Sequence, residues 1–483
     1  MNEKAGNYRW TICSLLFFAT TINYLDRQVL SLTWKDFLVP EFHWTNNDYG
    51  NITALFSIFY AVSMLFAGRF VDYMDTKKGF LWAIGIWSIG ACLHAFCGIA
   101  ASGILTGNWL VGFSGAKEAL ESIQDVGSII SVSVSLFIVA RLVLAIGEAG
   151  NFPASIKATA EYFPKKDRAL STSIFNAGAT VGALAAPVTV PFIARAYGWE
   201  IAFMLIGALG FIWMGVWIFV YKKPEKNPKV NAAELAYIQQ DSLLDAPLTA
   251  EQTAQGLKYQ KLSFVTCFKY KQTWAFAFGK FMTDGVWWFF LFWAPAYLSA
   301  VYGMDATQSA FPLFVLYMIT LLSIIGGWLP SYFVDKLKIN PYAGRMKAML
   351  IFAFFPLLAM LAQPLGETTF WLPVIIIGIA GAAHQAWSAN IFSTVGDMFP
   401  KKAIATITGI GGMAGGIGAF IINKSSGLLF DHARNTNMEF MGFSGEKAGY
   451  FIIFCICSVA YLIAWFVMKL LVPKYQPITD LYD

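Results

Sequence analysis

Asp26 and Arg27 stand side by side in a stretch, Trp10 to Trp34, that carries no other charge. A run of that length can cross a bilayer as one helix, since a span needs ~20 mostly apolar residues. Each charge near the middle of such a helix costs on the order of 2.5–3.5 kcal/mol. Such groups persist where they face protein or a watery cavity and have partners. The chemistry this implies is the handling of a charged cargo or of a proton. Further charges recur in later apolar stretches: Arg141 and Glu148, then Lys280 and Asp284, then His384 beside Gln385. A guanidinium stays charged and grips a carboxylate through two parallel hydrogen bonds, so Arg27 and Arg141 are candidates to hold an anionic substrate. The competing reading pairs each with a neighbouring carboxylate. Arg141 and Glu148 are seven apart, two helical turns, and so ~10 Å apart along one face. Each needs another partner, and the segment bearing Asp26 and Arg27 is the obvious source.

Burial makes a carboxyl hold its proton, and a nearby arginine loosens it again. Asp26 and Glu148 are therefore candidate proton carriers, with a permanent ion-pair latch as the alternative. Lys280 and Asp284, four apart, share a helix face and can neutralise each other; Lys280 also joins the substrate candidates. The run His384, Gln385, Trp387, Ser388, Asn390 and Ser393 offers an aromatic plane with several donors and acceptors, which suits a polyhydroxylated ligand. Tyr60 and Asn176 can add to it. His384 reads equally well as a buried, satisfied histidine. Gly68 to Asp72, followed by Lys77 and Lys78, forms a loop suited to a conformational latch; its plain alternative is ordinary basic loop charge. The glycines from 409 to 418 suit close helix packing. No strand precedes them, so no nucleotide loop is implied. No nucleophile–base pair stands out, and the six cysteines have neither disulfide-framework nor metal-ligand spacing.

The elements that must position these residues are apolar helices. The chain has 483 residues, 57% of them hydrophobic and 13% charged, about half the charge of a soluble domain. Its class is an all-α membrane protein. Twelve apolar segments are expected, near 10–34, 49–68, 79–101, 128–155, 169–192, 200–221, 273–301, 308–333, 346–363, 370–394, 403–424 and 447–471. Of the 34 basic residues, 24 fall on the side of the N-terminus, six on the other and four within spans. That asymmetry predicts cytoplasmic termini. The net charge of +5 is no nucleic-acid signal. The first apolar run is too long for a cleaved signal and reads as a retained span. The predicted organisation is an N-terminal bundle over 1–221, a cytoplasmic linker over 222–272 with one or two surface helices, and a C-terminal bundle over 273–483. An insertion at 102–127 contains an amphipathic stretch, GAKEALESIQ. The two halves repeat: residues 161–183 align without gaps to 397–419, returning Phe163-Pro164-Lys165-Lys166 as Phe399-Pro400-Lys401-Lys402 and Gly182 as Gly418. A parallel six-span repeat is the signature of the major facilitator architecture, with a midplane site between two bundles. The charged spans 1, 4, 7 and 10 open the successive three-helix units.

The loop from Gly68 to Lys78 resembles the signature loop of major facilitator transporters, with Asp75 where glycine is usual. NYLDRQVLS (23–31), RLVLAIGEAGNFPASIKATAEYFPKKDR (141–168), KFMTDGVWWFFLFWAPAYL (280–298) and HQAWSANIFSTVGDMFPKK (384–402) look like bacterial hexuronate transporters of the anion:cation symporter family. That resemblance implies proton-coupled uptake of a sugar acid such as glucuronate or galacturonate across a bacterial inner membrane. It implies no cofactor beyond the coupling proton, and a monomer whose partners are the sugar acid and the bilayer. Asp26 and Glu148 match the family's proton-coupling carboxylates. Arg27 and Arg141 match its paired arginines. The alternatives are a transporter of an aldonate or aldarate, such as galactonate or glucarate, and a sensor that binds without translocating. The insertion at 102–127 departs from the family pattern.

Overall fold

The computed structural model describes residues 5–240, 264–399 and 401–478. Almost all of it is helix. Span 1 is Tyr8–Thr33, span 2 Asn46–Met74, and span 3 Thr76–Ala95 continued at a 53° bend by Cys97–Thr106. Span 4 is Val126–Glu148 followed, after a two-residue break, by Asn151–Tyr162. Span 5 is Lys165–Tyr197 and span 6 Trp199–Val220. In the second half, span 7 is Lys271–Tyr302, span 8 Ala310–Ile319 through Ile325–Leu337, and span 9 Pro341–Phe354 through Ala362–Gly366. Span 10 is Trp371–Met398, span 11 Lys401–Thr436 and span 12 Glu446–Leu471. Among the described residues ten of these are long and apolar enough to cross a membrane, or eleven when bent span 3 is taken as one. Span 1 lies outside that count: at 26 residues it is ~39 Å long, but Asn23, Asp26, Arg27 and Gln28 dilute its apolar character. The expected third span, 79–101, proves to be a bent pair.

The first six spans pack among themselves, as do the last six, and the halves meet mainly through spans 2 and 11, 5 and 8, and 1 and 7. Small residues set the closest approaches. A Cβ on Gly182 of span 5 would lie 2.4 Å from the Thr21 carbonyl oxygen of span 1, and one on Gly418 of span 11 2.0 Å from the Phe281 oxygen of span 7. The two glycines paired by the sequence repeat thus do the same work in each half: they seat the fifth helix of the unit on the backbone of the first.

Two faces of the molecule differ. On the face remote from the chain termini, Trp34 stacks on Tyr49 at 4.1 Å between centroids, and Trp293 of span 7 meets both edge-on. Tyr49 donates its hydroxyl to the Phe292 carbonyl (2.8 Å), and the Trp293 indole N–H donates to Asn423 (2.9 Å). Above this plug the Asp431 carboxylate of span 11 accepts the backbone N–H groups of Asn46 (3.0 Å) and Asn47 (2.6 Å), the first amides of span 2. Lys424 reaches Asn47 and Asn51. Trp293 against Trp34 and Tyr49, the Tyr49–Phe292 bond, and the bonds of Asp431 and Lys424 cross from one half to the other and close this face. On the termini face, Asn151–Tyr162 of span 4 and Ile325–Leu337 of span 8 make their principal contacts within their own halves.

The linker carries a 3-10 turn, Pro224–Lys226, and two short α-helices, Ala232–Ile238 and Phe264–Cys267, among its described residues. Helix Ala232–Ile238 is fastened to span 1: Glu234 accepts the backbone N–H groups of Tyr8 (3.2 Å) and Arg9 (3.0 Å). The insertion folds as helix Phe113–Glu121, burying Ala116 and Leu120. It lies against the short helix Val39–Phe42 that links spans 1 and 2.

Candidate functional site

Span 1 delivers Asn23, Asp26 and Arg27 to one side because residues three and four apart share a helix face. All three are buried. Arg27 meets Glu148 of span 4: its Nε and Nη2 lie 2.9 and 2.6 Å from one carboxylate oxygen, Oε2. Glu148 closes the first half of span 4, just before the break at Ala149 and Gly150. Pro153 lacks the N–H that would have bonded the Ala149 carbonyl, and Gly147 and Gly150 let span 3 approach closely there. The Arg27 guanidinium lies among four rings, with centroids 5.0 Å away at Tyr24, 5.8 Å at Phe56, 4.8 Å at Tyr60 and 5.2 Å at Trp288. Such faces stabilise a desolvated cation.

Around this pair lie polar groups without a protein partner among the described residues. Both oxygens of Asp26, Nε and Nη1 of Arg141, and Oε1 of Glu148 are buried and unbonded. The amides of Asn23 and Gln28 are likewise unbonded at both ends. The Trp87 indole faces Asp26 without closing a hydrogen bond. Arg141 packs over Phe56 at 5.2 Å. Of the two arginines, span 1 therefore supplies Glu148 with its partner and leaves Arg141 free of one. Buried polar atoms rarely stay unbonded in folded proteins, and a guanidinium costs most when it does. Their concentration in one place marks a chamber built for something that brings its own donors, acceptors and charge.

The second half contributes a different wall. Lys280 Nζ is 2.6 Å from Asp284 and 4.2 Å from the centroid of the Phe392 ring. His384 is stacked on Trp287 (5.4 Å, 1°), and its Nδ1 bonds the Tyr461 hydroxyl at 2.7 Å. Trp387 is fully buried edge-on to Tyr461, its indole N–H unbonded. Gln385 and Ser388 are half-buried. Asn390 is differently employed: its Nδ2 donates to the carbonyls of Gly326 and Ala386, both at 2.8 Å, tying span 10 to span 8. Asn176 is exposed on span 5. Of the expected residues, then, Asp26, Arg27, Tyr60, Arg141 and Glu148 come together; Lys280 and His384 line the other half, each already engaged. Asn23, Tyr24, Gln28, Phe56 and Trp87 were not singled out from sequence, whereas Trp288 belongs to the mid-span aromatic run 287–290 that reads as packing or pocket lining. Three of them, Asn23, Tyr24 and Gln28, stand within three residues of Asp26, and polar residues flanking a buried charge were the available signal.

The expected loop from Gly68 to Lys78 proves to be helix on either side of Asp75: Gly68 and Asp72 lie in the last turns of span 2 and Lys77 and Lys78 in the first turn of span 3, on the termini face and away from the chamber. The Asp72 side chain is outside the described residues. Lys77 donates to the Ile218 carbonyl of span 6 (2.6 Å), within its own half, while Gly68 is half-buried and Lys78 exposed. Asp75, standing where the signature loop usually has glycine, has φ +67°, a backbone region that glycine enters without a Cβ clash. It pairs with Lys223 at 3.2 Å.

A many-spanned helical shell, closed at one face around buried and partly unpaired charges, defines a membrane transporter. The profile of the Major Facilitator Superfamily matches residues 16–422, and the chain belongs to that family; it is a transporter and not an enzyme. The chain is similar to the hexuronate transporter of Escherichia coli (strain K12), 26% identical over 89% of each protein. The galacturonate transporter of Dickeya chrysanthemi is 26% identical over 71% of this chain and 87% of its own. The probable galactarate/D-glucarate transporter GarP of E. coli K12 is 23% identical over 95% and 96%. Among solved structures, a bacterial homologue of the human lysosomal transporter Spinster superimposes with TM-score 0.68 at 17% identity, over 98% of both chains. A D-xylose–proton symporter gives 0.66 at 15%, over 98% of this chain and 99% of its own.

Proposed function

We propose that this protein is a proton-coupled symporter for a sugar acid, a hexuronate such as glucuronate or galacturonate, working by alternating access in a bacterial inner membrane with both termini cytoplasmic. The observation that carries the reading is the Arg27–Glu148 pair flanked by Asp26, and by Nε and Nη1 of Arg141, without a hydrogen-bond partner among the described residues. Its four charges sum to zero when both acids are ionised. A proton taken up by Glu148 removes the counter-ion from Arg27, and a substrate carboxylate can then take the vacated fork, with Arg141 beside it. One proton and one monoanion arriving together keep the chamber neutral, so neither enters favourably alone. Competition for one guanidinium thereby couples the two. Asp26, with Glu148 and Arg141 as its charged neighbours, is the second proton station. The hydroxyl-rich body of the sugar meets the rings and amides of spans 7 and 10, where Trp287, Trp387 and Gln385 stand. The relatives' named substrates support a sugar acid as the cargo.

The test is uptake of labelled glucuronate into proteoliposomes under imposed pH and voltage gradients. Acid outside should accelerate accumulation several-fold, and Glu148→Gln should abolish that response while retaining binding of the anion. Uptake indifferent to the proton gradient would sink the coupling; failure of every sugar acid to bind would sink the substrate class.

A further inference from the structure

The relatives divide between carriers named for uronates, with one carboxylate, and carriers named for aldarates, with two. The Lys280–Asp284 pair supplies a physical reason for a choice. Lys280 and His384 are the buried basic side chains of spans 7 to 12 among the described residues. His384 is engaged by Tyr461, and Lys280 by Asp284 at 2.6 Å. The pair is built in rather than incidental: a Cβ at Gly415 would lie 2.3 Å from Asp284 Oδ2, so span 11 leaves room for the carboxylate. Asp284 Oδ1 remains buried with no hydrogen bond among the described residues. Along span 7 Asp284 lies one turn before Trp287, which stacks on His384, and Trp288, whose ring faces the Arg27 guanidinium. It thus stands between the arginine end of the chamber and the span 10 wall.

We infer that Asp284 is a specificity-determining residue that restricts the carrier to monocarboxylic sugar acids by cancelling Lys280. This deepens, and rests on, the sugar-acid reading above. A hydroxyl arriving at this wall finds an acceptor in Asp284 Oδ1. A second carboxylate finds a like charge at close range and, among the described residues of this wall, a lysine and a histidine already engaged. Discrimination by an unmatched buried charge is of the kind that excludes a wrong partner rather than favouring a right one.

The experiment compares competition against labelled glucuronate by galacturonate, galactonate, galactarate, glucarate and the monomethyl ester of galactarate. With the wild-type protein the ester, whose far carboxyl is uncharged, should compete at least tenfold better than galactarate. Asp284→Asn frees Lys280 and should raise galactarate relative to glucuronate at least tenfold. The neutral double variant Lys280→Gln/Asp284→Asn should show no such gain. Wild-type protein that binds galactarate as well as its monoester, or an unchanged ratio in Asp284→Asn, overturns the inference, and the ester comparison decides it even if the variant fails to insert. Wild-type protein that binds none of these acids overturns instead the function proposed above.

Discussion

Arg27 answers to two partners, and its substitution should show both. Removing one member of a buried ion pair costs about 3–5 kcal/mol because the other charge is left stranded. Arg27→Ala should therefore lower the melting temperature in detergent and abolish glucuronate binding. The double variant Arg27→Ala/Glu148→Gln should recover most of the melting temperature and none of the binding, since the stranded charge is gone but the fork is too. Binding retained in the double variant would remove Arg27 from the substrate site. Asp26→Asn should block accumulation driven by a pH gradient while leaving exchange of internal for external substrate running, as measured by counterflow. The charges at these positions were legible in sequence because each is anomalous in an apolar helix. Their division of labour was not. Whether Arg27 meets Glu148 or a ligand depends on how spans 1 and 4 are rotated, and a local pattern does not report rotation between helices. Asn390 illustrates the converse. It sits in a polar run that reads as pocket lining, yet the close approach of Gly326 converts it into a bond between helices.

At the scale of single elements, the repeat-related glycines carry a clear expectation. A side chain at Gly418 would drive into the Phe281 carbonyl, and overpacking of this kind typically costs about 1–3 kcal/mol. Gly418→Ala should melt well below wild type, whereas Gly412→Ala, whose Cβ would meet only the end of the Met64 side chain at 3.3 Å, should not; equal melting of the two would refute the packing role. The short helix Val39–Phe42 carries a second. Burial pushes the Glu41 carboxyl up to about 7, partly offset by the hydrogen bond it accepts from the Trp199 indole (2.8 Å); Glu200, Lys117 and Glu121 are its charged neighbours. A carboxyl whose native affinity for protons exceeds its unfolded one binds more protons when folded, so stability falls as pH rises from about 4.5 to about 7. Glu41→Gln should flatten that part of the melting profile. The helix at 113–121 was foreseeable from its amphipathic run, but its place over Glu41 was not, because a contact between segments some seventy residues apart leaves no periodic trace.

For the whole molecule, sequence alone yields the class, the repeat and the order of spans. The arrested state is set by contacts between halves, which sequence does not display. The remote face is held by the Trp34, Tyr49 and Trp293 plug and by Asp431 at the start of span 2. An anion at a helix N-terminus is stabilising through the exposed amides it satisfies. Asp431→Ala should shift the population toward opening at that face. A cysteine at Ser299, half-buried where span 7 nears Lys35 and Asp36, should then react faster with a membrane-impermeant maleimide than in a protein with Asp431 intact. Equal rates would show that the plug alone holds the face shut.

The two trans caps also differ in a way that yields a clock. The amide hydrogens of Tyr8 and Arg9 are held by Glu234, and by the alternating access proposed above that pair stays together as the halves rock. Those of Asn46 and Asn47 are held by a residue on the opposite half, and the same proposal has each turnover release them to water. Their deuterium uptake, read against that of Tyr8 and Arg9 in the same molecule, counts openings of the remote face without any label, and saturating substrate should change the first pair's rate while leaving the second pair's alone.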